Sequence, residues 1–305
     1  MGLLGQMRLK WNPIPLPPAG AYEGQTVLVT GGTSGLGLAA AAHFVELGAR
    51  EVIITSRSAA RADDALRALE RQTSGRSRGI VRVEALDMAS YESVVALAAR
   101  VRRVAAGRGG IDYVVLNAGT FGVDYTAAGE GWEQNLQVNV LSTVLLGLLL
   151  PWMKEERANR AAPAHLGIVG SGQHVDPDIG TWATWATAAE GGVLRHLNRP
   201  ENFPGPTRMY AATKLMVTYA AAELAGRARG PDGRPQVIVN TMCPGVVKTD
   251  LARHFAEKYA GFVVVTAVFQ GLFGKSAADG ARTYVAAGLT EEDEHVSTLL
   301  YLILT

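Results

Sequence analysis

Tyr210 and Lys214, four positions apart, are residues whose types and spacing could do chemistry. Of the nine tyrosines, only Tyr210 is followed by a lysine at that spacing, which puts both side chains on one face of a helix. A free tyrosine has a pKa of about 10. Because a neighbouring ammonium favours the phenolate, the pair could pass a proton to a carbonyl oxygen near neutral pH. The alternative is an ordinary pair on a helix surface.

A glycine-rich string, Thr30–Gly37, lies between a predicted strand and a predicted helix. Glycines let the backbone turn sharply and approach a pyrophosphate, whose charge is favoured at a helix N-terminus. The string therefore predicts a dinucleotide-binding loop, the alternative being a tight turn without a ligand. Its candidate cofactor-binding residues are Gly31, Thr33, Ser34, Gly35, Leu36 and Gly37.

The residues after the second predicted strand indicate which dinucleotide fits. NAD-binding chains usually place a carboxylate there to accept from the ribose 2′-hydroxyl, whereas this chain has Ser56 and Arg57. A hydroxyl and a guanidinium would bind a 2′-phosphate through charge-assisted hydrogen bonds. The sequence therefore predicts NADP(H) as the cofactor. The alternative for Arg57 is a solvated position at the start of a helix.

The elements that must position these residues alternate between short β-branched runs and Ala- and Leu-rich helical stretches. The predicted strands are Thr26–Thr30, Glu51–Ser56, Ile80–Leu86, Asp112–Ala118, His165–Ser171 and Gln236–Met242. The predicted helices are Leu36–Leu47, Ala59–Arg71, Tyr91–Ala106, Trp132–Met153 and Tyr210–Arg227. Continuous apolar strands are typical of a sheet buried on both faces. The pattern predicts an α/β, Rossmann-type doubly wound fold with a mostly parallel sheet and helices on both faces.

The predicted domain organisation is an N-terminal leader followed by one catalytic domain. Residues 1–24 form the leader, with an extended Pro-rich stretch at Asn12–Pro18, and residues 25–305 form the dinucleotide-binding domain. Gly172–Pro206, rich in Pro, Gly, Trp and Asn, is predicted to be an insertion between the fifth strand and its helix. The apolar run Val296–Leu304 is predicted to be a final strand.

Composition excludes several classes of protein. Apolar residues make up 48% and charged residues 19%, which indicates a globular chain. Lys and Arg number 29 against 28 Asp and Glu, so there is no basic excess to bind nucleic acid. A single cysteine, Cys243, and histidines without ligand spacing predict no metal site and no intrachain disulfide. No run reaches the ~18–20 apolar residues of a membrane span, so we expect a soluble cytoplasmic protein.

Several further motifs occur in register along the chain and carry a family resemblance. Beside the glycine string and the Tyr210/Lys214 pair, they are Asp87, Asn117-Ala118-Gly119, Asn139, Ser171, and Pro244-Gly245 followed by Thr249. Through these residues, from about Thr26 to Thr249, the sequence resembles the short-chain dehydrogenase/reductase family. Residues 132–140 are similar to fungal members of the retinol-dehydrogenase-like branch, many of which act in secondary-metabolite pathways.

The resemblance implies catalytic roles for four residues. Tyr210 would be the general acid, and Lys214 would bind the nicotinamide ribose and, with the charge of the oxidised nicotinamide, lower the tyrosine pKa. Ser171 would hold the substrate carbonyl oxygen, and Asn139 would support a water that relays protons to Lys214. Ser171 and Tyr210 are 39 positions apart, more than the simplest family members need, so the alignment of Ser171 is inferred across the insertion.

The resemblance also implies contacts to the cofactor beyond the glycine string. Asp87 would contact adenine, Asn117 would shape the adenine-ribose side and Thr249 would meet the carboxamide. Pro244 and Val247, from the same segment as Thr249, would be further cofactor contacts. Residues 246–275 would form a lid over the substrate, and the apolar content of Gly261–Phe273 favours an apolar ligand, with core packing as the alternative.

These residues together predict an NADP(H)-dependent oxidoreductase that acts on a fairly apolar carbonyl or alcohol, such as a secondary-metabolite intermediate. Two alternatives are a nucleotide-binding regulator without turnover and an enzyme of the same fold that catalyses rearrangement or dehydration. The intact Tyr210/Lys214 pair argues against the regulator. Trp132–Met153 and Tyr210–Arg227 resemble helices that pair related subunits, which predicts a homodimer unless the insertion covers one of them.

Overall fold

The computed structural model describes residues 11–106, 109–156, 162–187, 191–249, 251, 258 and 271–295. Within them lies a six-stranded sheet with the strand order β3-β2-β1-β4-β5-β6, in which every neighbouring pair is parallel. The strands are β1 Thr26–Val29, β2 Glu51–Ser56, β3 Val81–Ala85, β4 Tyr113–Leu116, β5 Ala164–Val169 and β6 Val237–Met242. The predicted strand bounds agree with these to within two residues.

Helices cover both faces of this sheet, as the continuous apolar strands predicted. The longer helices are α1 Gly35–Glu46, α2 Ala59–Gln72, α3 Tyr91–Ala105, α8 Pro206–Arg227 and α9 Ala277–Ala287; the short ones are α4 Ser142–Leu145, α5 Leu149–Glu155, α6 Ile179–Trp185 and α7 Val193–Leu197. One core cluster joins the sheet to α3, α5 and α8, through residues such as Leu97 and Val217. The other joins it to α1, α2 and α9, through residues such as Phe44 and Tyr284. The predicted doubly wound fold is confirmed.

The predicted helical stretch Trp132–Met153 is helical from Leu136 onward, but it consists of successive π, α and 3-10 segments in place of a regular α-helix. The backbone of Trp132 and Gln134 hydrogen-bonds to residues 126–128, at 2.7 and 2.8 Å, so this part of the chain is held in a turn. A π-helix then spans Leu136–Leu141, before α4, a 3-10 turn at Leu146–Leu148 and α5. The wider π turn changes the direction of the side chains that follow it, which periodicity alone does not reveal.

The helix that carries Tyr210 begins earlier than predicted. Pro206 occupies the first turn of α8, where its missing N–H costs nothing, and Gly205 precedes it with a φ of +90°. Reading Pro206 as part of the insertion therefore placed the start of the helix one turn too late. Tyr210 therefore lies in the second turn of the helix, whereas the sequence predicted it as the first helical residue.

The predicted insertion folds into short helices instead of an irregular loop. A 3-10 turn at Gly172–Val175 is followed by α6, α7 and another 3-10 turn at Pro200–Asn202. Trp182 and Trp185 pack in a small apolar cluster with Leu136 and Met209, and the Trp185 ring stacks on His196 at 4.1 Å. Both tryptophans therefore contribute to packing of the insertion against α8.

Two predicted segments fall largely or wholly beyond the described residues. The predicted final strand, Val296–Leu304, lies outside them, and so does most of the predicted lid over residues 246–275. In the leader, the Pro-rich stretch forms neither helix nor strand, and the Arg282 guanidinium donates to the Ile14 carbonyl at 3.2 Å.

Candidate functional site

The glycine loop after β1 is built for close approach to a ligand. Gly31 and Gly35 have φ angles of +64° and +52°, which L-residues with a side chain rarely adopt. A Cβ at Gly37 would lie 2.5 Å from the Gly31 carbonyl oxygen. Ser34 occupies the N-cap of α1 and makes no side-chain capping bond within the described residues. The loop thus presents the N–H groups of the first helical turn, an arrangement that binds phosphate.

The remaining predicted residues of the loop serve different purposes. Thr33 is half-buried within the loop. Leu36 points to α9, because a Cβ added at Gly280 would lie 2.8 Å from its Cδ2. Leu36 therefore packs α1 against α9 through its side chain, and only its backbone is available to a ligand at the helix N-terminus.

Asn117 fixes the glycine loop through its side chain. Its Nδ2 donates to the carbonyl oxygens of Thr30 and Gly31 at 2.8 and 3.2 Å, and its Oδ1 accepts from the Tyr284 hydroxyl at 2.9 Å. The Thr30 hydroxyl accepts in turn from the Asn117 and Ala118 N–H groups, both at 2.9 Å. Asn117 therefore acts on the cofactor loop by holding the ends of β1 and β4 together.

At the end of β2, Ser56 and Arg57 face different environments. Ser56 is buried, and its hydroxyl donates to the Ser58 carbonyl at 2.8 Å. Arg57 is exposed. Asp87, after β3, is also exposed, with Oδ1 accepting from the Ala89 N–H at 2.9 Å. The hydroxyl proton of Ser56 is thus already used within the protein, which leaves Arg57 as the group suited to a phosphate.

Ser171, Tyr210 and Lys214 come together at the carboxyl ends of β5 and β6 despite the long insertion. The Ser171 hydroxyl lies near the Tyr210 hydroxyl, and its interaction with the phenol acts to lower the pKa of Tyr210. The Lys214 ammonium lies 5.5 Å from the centre of the Tyr210 ring and donates to the Val169 carbonyl at 2.7 Å. Phe121 covers the tyrosine, with 5.3 Å between the ring centres. The structure therefore brings together three of the four predicted catalytic side chains.

Burial sets the protonation of this group. It raises the pKa of Tyr210 to about 12, while the hydrogen bond from Ser171 acts in the opposite direction. It also lowers the pKa of Lys214 to about 8, because a buried ammonium loses its hydration. The lowering of the tyrosine pKa expected from Lys214 is therefore outweighed in the protein alone. At neutral pH the pair is a neutral phenol beside an ammonium.

Asn139 lies in the π-helix and connects it to α8. Its side-chain Oδ1 accepts from the Thr120 N–H at 2.8 Å, and its Nδ2 donates to the Thr120 carbonyl at 2.9 Å. Its Nδ2 also donates to the Thr213 hydroxyl at 3.2 Å, and that hydroxyl donates to the Tyr210 carbonyl at 2.8 Å. Asn139 is thus linked to Tyr210 through Thr213, and its side chain is fully engaged by protein groups.

The segment after β6 lies beside the glycine loop. Pro244 is buried and Gly245 turns the chain with a φ of +75°. Val247 pairs with Lys275 in a parallel bridge. A Cβ at Gly35 would lie 3.5 Å from the Thr249 methyl group. Of the predicted cofactor-binding residues in this segment, Thr249 therefore lies at the N-terminus of α1.

Comparison with known proteins places this arrangement in a family. Residues 25–161 match the family model described as short chain dehydrogenase. The chain is 35% identical over 288 residues to the short-chain dehydrogenase/reductase phmF of Phaeosphaeria nodorum, covering 94% of this chain and 80% of that protein. It is 33% identical over 282 residues to ffsI of Aspergillus flavipes, covering 92% and 78%. The chain belongs to the short-chain dehydrogenase/reductase family.

Solved structures support the same fold for this short-chain dehydrogenase/reductase. A complex of Pseudomonas aeruginosa RhlG with NADP has a TM-score of 0.65 and 22% identity, over 93% of this chain and 96% of that one. A Burkholderia cenocepacia short-chain dehydrogenase in complex with NADP has a TM-score of 0.59 and 23% identity, over 91% and 95%. At these identities the likeness establishes the fold.

Sequence reasoning missed several residues that hold the site of this short-chain dehydrogenase/reductase. Phe121 and Thr213 contact the candidate catalytic residues, and Tyr284 supports the glycine loop from α9. Nothing in their spacing marked Phe121 or Tyr284, whereas Thr213 lies inside the Tyr210/Lys214 motif and could have been suspected. Among the described residues, no cluster of His, Cys, Asp and Glu could hold a metal. In the same part of the chain, no helix combines the length and apolarity that a membrane crossing requires.

Proposed function

We propose that this protein is an NADP(H)-dependent oxidoreductase that reduces a ketone or aldehyde on a fairly apolar small molecule, or carries out the reverse oxidation. The observation that carries the proposal is that the side chains of Ser171, Tyr210 and Lys214 lie together at one site. Ser171 follows β5, and Tyr210 and Lys214 lie on α8. These residues are at the same edge of the sheet as the glycine loop, which follows β1. In parallel α/β sheets that edge is where ligands bind.

The residues around the glycine loop fit a phosphorylated dinucleotide. The N-terminus of α1 would hold the pyrophosphate through Ser34 and backbone N–H groups. Gly37 lets the loop pack closely on the helix, since a Cβ there would lie 2.5 Å from the Gly31 carbonyl oxygen. Arg57 would bind the 2′-phosphate. Asp87 would contact adenine, and Pro244, Val247 and Thr249 would contact the nicotinamide end. When bound, NADPH supplies the hydride that reduces the carbonyl carbon. Structural neighbours crystallised with NADP support this choice of cofactor.

The side chains of the protein would handle the proton and the carbonyl oxygen. Tyr210 donates its hydroxyl proton to the oxygen as negative charge develops there. Ser171 donates a hydrogen bond to the same oxygen and holds it in line with the tyrosine. Lys214 binds the ribose of the cofactor and keeps a positive charge beside the phenol. Asn139 holds the π-helix against α8 and, as the family resemblance implies, supports the water that resupplies protons through Lys214.

The protonation of Tyr210 favours the reductive direction in the free protein. With a pKa of about 12, the phenol is protonated throughout the neutral range and ready to act as an acid. Oxidation of an alcohol needs the phenolate, so it should gain from high pH. The ring of Phe121 over Tyr210 favours an apolar substrate, and the fungal relatives make a secondary-metabolite intermediate a suitable class to test.

The proposal is tested by incubating the purified protein with NADPH and a panel of polyketide and terpenoid ketones. We expect oxidation of NADPH, followed by its absorbance, in step with formation of the alcohol. Conversion of a substrate without consumption of cofactor would instead indicate rearrangement or dehydration. Cofactor binding without conversion of any member of a broad panel would favour a regulator.

Ser171→Ala should reduce kcat about tenfold while leaving the affinity for NADPH nearly unchanged, since a neutral hydrogen bond of this kind contributes up to about 1.5 kcal/mol. The physical reason is that the Ser171 hydroxyl would contact the substrate oxygen and not the cofactor. Steady-state kinetics and fluorescence titration of NADPH measure the two effects. Thr181→Ala, in the exposed part of the insertion, is the control and should have no effect. If Thr181 proved essential and Ser171 silent, the placement of the catalytic hydroxyl would be wrong.

The value of kcat/KM for NADPH should fall as pH rises above about 8. Lys214 has a pKa of about 8, so its ammonium is present below that pH and is lost as pH rises through it. Without the charge, the lysine binds the ribose hydroxyls more weakly. Because kcat/KM reports the ionisation of the free enzyme, the profile should show this limb directly. In Lys214→Arg, whose guanidinium stays charged, the limb should disappear. A wild-type profile that is flat across this range would remove Lys214 from cofactor binding.

A further inference from the structure

In the simplest members of the family, a short stretch of chain connects the residues that correspond to Ser171 and Tyr210. In this protein no such short connection holds Ser171 near Tyr210. The two residues are 39 positions apart, and the whole insertion lies between them. Bonds inside the Ser171 turn do not fix its position, because they move with it. These are the His174 N–H and Nδ1 contacts to the Ser171 carbonyl, at 3.1 and 2.7 Å, and the Gln173 N–H bond to the Ser171 hydroxyl, at 3.3 Å.

Three hydrogen bonds from other elements hold the chain around Ser171, and the turn at Gly172–Val175 also packs against α8. The Gly170 N–H donates to the Met242 carbonyl at 2.9 Å, and Lys214 donates to Val169, but both act before Ser171. After it, the Gly172 N–H donates to the Cys243 sulfur at 3.1 Å. Within the described residues, no other side chain from a distant element bonds the backbone of residues 170–172.

Cys243 itself is firmly placed by the end of β6. The residue is 6% exposed, and it directly follows the last residue of β6, Met242. One sulfur atom therefore bridges the turn after β5, which carries Ser171, to the turn after β6, which leads to Pro244. Burial raises the pKa of the Cys243 thiol. The group thus stays a neutral thiol that accepts hydrogen bonds, and it has no features of a nucleophile.

We propose that Cys243 is a positioning residue: by accepting from the Gly172 N–H, it holds the Ser171 hydroxyl within reach of Tyr210 and of the substrate oxygen. This inference rests on the proposed function, since it acts through Ser171. The insertion lengthened the connection from β5 to α8, and the contact with Cys243 supplies the restraint that a short connection would otherwise give.

Cys243→Ala should lower kcat by roughly tenfold to hundredfold, because a misplacement of about 1 Å at a reacting group can cost that much. The affinity for NADPH should fall much less than kcat, because the bond that is lost joins Cys243 to the Ser171 turn, whereas its interactions with Tyr210 and Lys214 are electrostatic. Cys243→Ser is the matched variant: it is close to alanine in size and keeps an acceptor for the Gly172 N–H. We expect Cys243→Ser to restore most of kcat. Equal losses in the two variants would overturn the proposal.

A double-mutant cycle with Ser171→Ala decides whether Cys243 acts through Ser171. If it does, Cys243→Ala should cause no further loss of kcat once the Ser171 hydroxyl is gone, because the coupled groups fail together. An undiminished loss in the Ser171→Ala background would overturn the inference alone and leave the proposed function standing. A silent Ser171→Ala single variant would instead overturn the role of Ser171 in the proposed function, and the inference with it.

A control on the same strand distinguishes a general loss of stability from misplacement of Ser171. Val239 is buried in the middle of β6, four residues before Cys243, and does not contact the Ser171 turn. Val239→Ala should lower the melting temperature and leave kcat of the folded protein unchanged. A fall in kcat equal to that of Cys243→Ala would overturn the proposal. If Cys243→Ala does not fold, Cys243→Val fills the space without an acceptor and takes its place in both comparisons.

Discussion

Tyr210→Phe should reduce kcat by about 10²–10⁴-fold, the range that general acid catalysis typically contributes. The substitution removes only the hydroxyl that would donate the proton, and the phenylalanine ring can still pack against Phe121. The affinity for NADPH should therefore change little. Single-turnover rates under saturating NADPH and the best substrate, together with a cofactor titration, measure both quantities in the same preparation.

Tyr219→Phe is the matched control for this experiment. Tyr219 lies on the same helix, α8, but is 54% exposed and away from the sheet edge, so its hydroxyl should be dispensable. We expect wild-type kcat for this variant. An unchanged kcat in Tyr210→Phe would remove Tyr210 from the chemistry, and a large loss in both tyrosine variants would indicate damage to α8 instead of loss of a proton donor.

Arg57→Gln should weaken the binding of NADPH roughly 10- to 150-fold and leave the binding of NADH almost unchanged. Hydrogen bonds to a charged group contribute about 1.5–3 kcal/mol, and only the 2′-phosphate of NADPH offers such a group to the guanidinium. Wild type should therefore prefer NADPH by at least about tenfold at low salt, with the preference narrowing as added salt screens the exposed Arg57. Fluorescence titrations of both cofactors at two ionic strengths measure the effect.

Arg71→Gln controls for the loss of one positive charge. Arg71 is exposed in the last turn of α2, at the far end from Arg57, so its removal lowers the net charge equally without touching the nucleotide site. It should retain the full preference for NADPH. Equal affinities of wild type for NADPH and NADH would show that Arg57 points away from the 2′ position. Ser56, which the sequence predicts to share this contact, donates its hydroxyl proton to the Ser58 carbonyl.

The fold was predictable because its signals are local. The strands are short runs rich in apolar residues, such as Tyr113–Leu116, and they alternate with helical stretches, so this alternation predicts the fold class. Leu136–Leu141 could not be predicted as a π-helix, because its start is set by pairing of Trp132 and Gln134 with residues 126–128. That pairing depends on tertiary contacts that no helical period encodes.

The candidate site was predictable in its residue types but only partly in its contacts. Tyr210, Lys214 and the glycine loop lie in short motifs, where spacing along one helix or one turn fixes the geometry. The proximity of Ser171 to Tyr210 depends on how the insertion returns to the sheet, and the support from Tyr284 depends on packing of α9. Protonation was the least predictable, since the pKa values of Tyr210 and Lys214 are set by burial, which only the folded chain defines.

The small apolar cluster inside the insertion has a thermodynamic consequence. Closing a flexible loop costs entropy that grows only with the logarithm of its length, by about 0.6 kcal/mol for each doubling. A lengthened connection between β5 and α8 therefore costs little, and the packing of Trp182 and Trp185 against Met209 offsets part of that cost. The chain can therefore lengthen or reshape this connection during evolution with little loss of fold stability, which makes it a region where new substrate preferences can arise.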